Sequence, residues 1–244
     1  MCGKNTLLVS CPVITALILL LVLGGQVKGQ DEKDPHRPPC TSAGCRKIKS
    51  FLKAHYCGES PFGNGPDDGC DIRFPKKLAT AVTVSADFEC KYSEAEGKSK
   101  CEQHGQPSPQ VRRVLVNEMQ QLGLPAGEGK ELKFRVWEAP ALSWSLAEAD
   151  YYHSAGTDMT FCQVIVIIDK TSKVSVLRKV PFQKTDADVP TVTMWSPIDL
   201  ADVNGDGRLD VILEGDAYEN HWLEVDSVQD GSSQTIFSGL GYYL

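Results

Sequence analysis

The sequence predicts an α+β fold: a mostly antiparallel β-sheet with two main helices, held by disulfides and carrying a β-hairpin loop near the C-terminus. Three observations lead there. Apolar runs rich in Val, Ile and Thr recur through the second half of the chain, with polar turns between them. Two stretches carry apolar residues at helical spacing. Cysteine is frequent, at nine in 244 residues.

The chain opens with Lys4 and an apolar run from Leu7 to Leu23, then turns small and polar from Gly24 to Gln30. This is the layout of a secretory signal peptide, residues 1–29, with Val27 and Gly29 at positions −3 and −1 of a cleavage point. The run approaches the ~20 apolar residues that span a bilayer, so an uncleaved N-terminal anchor is the alternative. The expected location is secreted or periplasmic, or else anchored at the N-terminus and facing outside. Residues 30–39, rich in charge and proline, read as a disordered tether. Without Lys4 and Lys28, 23 basic residues face 32 acidic ones, a net charge of −9. That balance excludes nucleic acid as a partner. It leaves an unknown protein or carbohydrate, with a membrane reached only through an uncleaved N-terminal helix.

Residues 40–107 form a Cys-rich subdomain in this reading. Seven cysteines follow the signal, at 40, 45, 57, 70, 90, 101 and 162, and an odd number in an oxidising compartment leaves at least one unpaired within the chain. Ile48, Phe51, Leu52 and Tyr56 make a helical apolar stripe between Cys45 and Cys57. Twelve residues of helix span about 18 Å, whereas a disulfide needs Cα atoms within about 7 Å. Those two cysteines therefore do not pair across a continuous helix. Cys57 with Cys70 closes the turn-rich stretch 58–69, and Cys90 with Cys101 closes a polar hairpin. Cys162, within the apolar run 161–168, is the expected buried free thiol. Zinc is disfavoured because no C-x-x-C pair exists.

Residues 78–90 carry a strand-like Ala-Val-Thr-Val run. Residues 108–244 form the main α+β domain. Ser108 and Pro109 are a cap and first-turn pair. Val111, Val114, Leu115, Met119 and Leu122 then repeat at helical spacing up to Gly123. Strands are expected at 132–137, 160–168 and 173–180, the last two joined by the polar turn 169–173, and again at 218–225 and 235–240. Helices segregated from antiparallel strands define the α+β class.

Between them lies the stretch Asp199 to Glu214. Oxygen-bearing side chains stand at Asp202, Asn204, Asp206 and Asp210, with a glycine at 207 for a sharp turn. A hard cation takes six to eight oxygens at about 2.3 to 2.6 Å, and alternate residues of a curled loop point inward to supply them. The predicted ligand is therefore Ca²⁺. From Asp186 to Asp230 the chain carries twelve acidic residues and one basic residue, Arg208; a bound divalent cation would relieve their repulsion. An EF-hand would place Glu at the twelfth loop position, where Leu213 stands, followed by a helix. Val211, Ile212 and Leu213 favour a strand instead. The segment 202–210 thus resembles the calcium hairpin of FG-GAP repeats, the integrin alpha type, D-x-[DN]-x-D-G-x-x-D before an apolar strand. The resemblance covers about residues 196–225 in a single copy, so it implies the hairpin and not a propeller. It implies side-chain ligands from Asp202, Asn204, Asp206 and Asp210 and a carbonyl ligand from Arg208.

No G-x-S-x-G, H-E-x-x-H or phosphate-binding glycine loop is present, and the five histidines lack ligand spacing. Asn64, Asp67 and Asp68 offer a second cation turn, for which a disulfide-bounded loop is the simpler account. The favoured expectation is an exported, non-enzymatic domain whose C-terminal hairpin is stabilised by Ca²⁺. The alternative is a secreted hydrolase that draws acid and base from Glu138, Glu148, Asp150 or Glu214 in a cleft lined by Trp137, Trp144, Trp195 and Trp222.

Overall fold

A computed structural model describes residues 42–58, 70–73, 82–93, 98–138, 142–155, 158–185, 192–217 and 220–243. The expectations for the signal, the tether and the turn at 64–68 lie outside them. Helix α1 is Ala43–Tyr56, started by Ser42, whose hydroxyl accepts the Cys45 N–H at 3.1 Å. Its face of Ile48, Leu52 and Tyr56 is buried. Strands β1 (Cys57–Gly58) and β2 (Asp71–Ile72) pair beside it, closed by the Cys57–Cys70 disulfide. Strands β3 (Thr83–Ser93) and β4 (Lys98–Gly105) form a hairpin carrying the Cys90–Cys101 disulfide. Cys45 is also disulfide-bonded, and Cys162 is free and buried. Helix α2 is Pro109–Gln121, capped by the Ser108 hydroxyl and ended before Gly123 at φ +96°.

Eight strands follow: β5 (Lys133–Glu138), β6 (Trp144–Ala155), β7 (Asp158–Asp169), β8 (Val174–Thr185), β9 (Met194–Ala201), β10 (Asp210–Ala217), β11 (Asn220–Gln229) and β12 (Ser232–Tyr243). Together with β3 and β4 they build two antiparallel sheets, one of six strands in the order β4-β3-β5-β6-β7-β8 and one of four in the order β12-β11-β10-β9. The expected Cys-rich stretch 40–107 contributes α1 to one sheet and β3 and β4 to the other.

The sheets pack on each other. Trp137, Trp144, Leu146, Ile165, Ile167 and Leu177 from the larger meet Leu200, Val211, Leu213 and Val228 from the smaller. α2 covers the outer face of the larger sheet through Leu115 and Met119, against Phe134, Val136, Ala149, Val164 and Val166. α1 covers the outer face of the smaller one, with Ile48, Leu52 and Tyr56 against Ile198, Ile212, Leu223 and Phe237. The four layers explain the continuous apolar runs. Every residue from Phe161 to Ile168 is buried, because alternate side chains enter the inter-sheet core and the α2 core.

This architecture corrects the α+β expectation. Sheet on sheet is the principal packing, and the molecule is largely a β-sandwich whose two helices cover its outer faces. The misreading has a local cause in β6. Its Trp-Ser-Leu-Ala-Glu-Ala-Asp sequence is rich in helix-favouring residues and shows no apolar alternation, since Ala147 and Ala149 fill one face while Glu148 and Asp150 take the other. Tertiary pairing with β5 and β7 over the strand overrides that propensity.

Candidate functional site

The acidic loop joins β9 to β10, so two paired strands fix its ends through Ala201 and Asp210. Gly205 and Gly207 sit at φ +77° and +83°, in the left-handed region that a side chain would strain. The loop closes on its own side chains. Asp202 Oδ1 accepts the N–H of Gly205 at 2.7 Å and of Asp206 at 3.0 Å, and its Oδ2 accepts that of Gly207 at 3.0 Å. Asn204 Oδ1 accepts the Asp206 N–H at 2.8 Å, and Asp206 Oδ1 accepts the Arg208 N–H at 2.9 Å. A carboxylate has about four acceptor positions, so Asp202 retains room for a further partner.

Asp210 differs from the rest. It is fully buried, its Oδ2 accepts the Val203 N–H at 3.2 Å, and its Oδ1 has no hydrogen-bond partner. Burial pushes its carboxyl up; the Ser227 hydroxyl and the N–H groups of Val203 and Asn204 oppose that, and the Asp206 charge adds to it. The free acceptor capacity of Oδ1 in this buried carboxyl, close to the Asp206 carboxylate, suits a cation. The donor set of Asp202, Asn204, Asp206 and Asp210 with the Arg208 carbonyl is thus chemically fit for a hard divalent ion. Among the described residues no three His, Cys, Asp or Glu side chains are already gathered for a metal. From α1, Lys47 Nζ donates to the Asn204 carbonyl at 2.8 Å.

The other singled-out carboxylates are dispersed. Glu148 is 2 % exposed between the sheets, held by Arg135 at 2.5 Å and by the Gln163 amide at 3.0 Å. Burial pushes its carboxyl up, against the pull of Arg135 and Gln163. Asp150, two residues along the same strand face, is partly buried with Oδ1 unpartnered; burial first and the Glu148 charge second push it up to about 7. Glu214 lies on the smaller sheet, 3.4 Å from His221 Nδ1, and burial pushes it up. Glu138 lines an open groove of about 410 Å³ with Trp144, Asp169 and Lys170. Of the four, only Glu148 and Asp150 share a strand.

The tryptophans are mainly structural. Trp137 and Trp144 are in the inter-sheet core. Trp195 and Trp222 meet edge to face at 5.5 Å, packed across Gly215, where an added Cβ would stand 2.6 Å from Trp222 and 3.0 Å from Trp195. The polar seam beside them has no counterpart among the motifs visible in the sequence. Arg178 pairs with Glu224 and, at 2.8 Å, with Asp226, and its guanidinium lies 4.7 Å from the Trp195 ring centroid. Gln163 spans the sheets by donating to the Trp195 carbonyl at 2.7 Å and accepting the Trp195 N–H at 2.9 Å. The available signal was a charged or amide residue at an inward strand position, as in Val174-Ser-Val-Leu-Arg178. Beside the acidic loop, Gly207, Arg208 and Leu209 border a second groove of about 540 Å³ with Ser143, Trp144 and Gln229. The chain matches no family model, no curated protein and no solved structure.

Proposed function

We propose that the chain is an exported, non-enzymatic calcium-binding domain in which Ca²⁺ stabilises the β9–β10 hairpin and shapes a surface for a protein or carbohydrate partner. The observation that carries this reading is the buried, unpartnered Oδ1 of Asp210 at the foot of a loop built from Asp202, Asn204 and Asp206. A bound ion would draw these oxygens together and offset the charge of the Asp202, Asp206 and Asp210 carboxylates. Asp202 organises the turn through three backbone N–H groups, and Asp210 anchors the loop to the core. The disulfides fit an oxidising, extracytoplasmic compartment. A catalytic reading is weaker, because Glu148 is ion-paired and buried while Glu214 lies on the other sheet.

Calcium is expected to raise the thermal midpoint of the oxidised chain. Binding only to the folded state adds about 2.7 kcal/mol at a hundredfold excess over Kd, which for a domain of this size is roughly 5 to 10 °C. Asp206→Ala should abolish the rise. Equal midpoints in EGTA and in millimolar Ca²⁺ for the unsubstituted chain would refute the reading.

A further inference from the structure

Helix α1 touches the loop region at three heights. Lys47 Nζ donates to the Asn204 carbonyl at the loop tip. Ile48 and Leu52 share a buried cluster with Val203. The Tyr56 hydroxyl donates to Asp199 Oδ2 at 2.8 Å, just before the loop begins. The residue that ends the helix, Cys57, is bonded to Cys70, which is fully buried and donates its N–H to the Gly241 carbonyl of β12 at 3.3 Å.

We propose that α1 couples the cation loop to the Cys57–Cys70 disulfide: a cation in the loop holds α1 docked, and undocking α1 loosens the loop and opens the disulfide to thiols together. The proposal rests on the calcium reading above. A thiolate must reach a disulfide sulfur in order to attack it; Cys70 is fully buried and Cys57 half-buried, so both sulfurs become fully accessible only when their surroundings open. Opening there strips Ile48, Leu52 and Tyr56 from the smaller sheet. Linkage is reciprocal, so whatever the cation contributes to the docked state reappears as less frequent opening. Cys90–Cys101 is a built-in control. It sits on the hairpin at the edge of the other sheet, and Cys90 is exposed.

The test incubates the oxidised chain with dithiothreitol in EGTA or in Ca²⁺, quenches by alkylation, and maps each cysteine by mass. Each disulfide takes two electrons and two protons from the dithiol, which closes to a cyclic disulfide. Calorimetry measures Ca²⁺ binding on the same samples. At ten times Kd, Ca²⁺ should slow reduction of Cys57–Cys70 by roughly tenfold and leave Cys90–Cys101 unchanged. Tyr56→Phe should weaken Ca²⁺ binding and shrink the protection of Cys57–Cys70; Lys47→Met, at an exposed position that leaves the core intact, also removes a positive charge beside the site, and at equal Ca²⁺ saturation it should shrink the protection of Cys57–Cys70. Calcium that binds without slowing Cys57–Cys70, or that slows both disulfides equally, would overturn the coupling and leave the cation site standing. No binding by calorimetry would overturn the cation site, and the coupling with it.

Discussion

Removing the Tyr56 hydroxyl takes a donor from Asp199, a carboxylate only 6 % exposed. Asp199 keeps the Leu200 N–H on its other oxygen, so the cost is that of one hydrogen bond to a charged group, about 1 to 3 kcal/mol. Tyr56→Phe should therefore lower the urea midpoint by that amount with an unchanged slope, and an unchanged midpoint would show that the contact contributes nothing. Asp150 makes a prediction about pH. Its ordinary value of 3.8 is pushed up to about 7 in the fold, so the folded state favours the neutral acid. The corresponding stability is complete below about pH 4 and is lost as pH rises through 7. Asp150→Asn removes that dependence. Its stability relative to the unsubstituted protein should climb between pH 4 and 7 and level off above; a flat difference across that range would place the titration elsewhere.

Elements were legible in the sequence where the signal is local. Ser42 and Ser108 cap helices whose buried faces follow the periodicity, and the apolar run at 161–168 becomes a strand. The acidic loop was visible for the same reason, since its spacing and glycines lie within nine residues and its hydrogen bonds are mostly two to five residues apart. The β6 strand and the seam between the sheets were not, because pairing and charge partners there come from distant segments. Arg178 meets Glu224 and Asp226 at separations of 46 and 48 residues, which no local window contains. With Asp226 1 % exposed, Arg178→Met strands a buried anion. A loss of about 3 to 5 kcal/mol follows for breaking such a pair from one side, measured by equilibrium denaturation. Replacing Arg178, Glu224 and Asp226 together by apolar residues should recover much of it, separating the need to pair the charges from the need to have them.

At the scale of the molecule, the two sheets and two helices leave two middle layers that no solvent-facing alternation can reveal, and the sandwich was underestimated for that reason. The six-stranded sheet is complete by Thr185, while every strand that covers its inner face lies between Met194 and Tyr243. During synthesis, then, Trp137, Leu146, Ile165 and Ile167 have no partner layer until that last meander of hairpins is made. A chain ending at residue 193 should be sticky and bind hydrophobic dyes, whereas adding the 194–243 segment as a separate polypeptide should quench the dye by supplying the absent layer. The 194–243 segment therefore decides whether the first sheet ends as a core or as an adhesive surface, and the interval before it is made is when the protein depends most on chaperones.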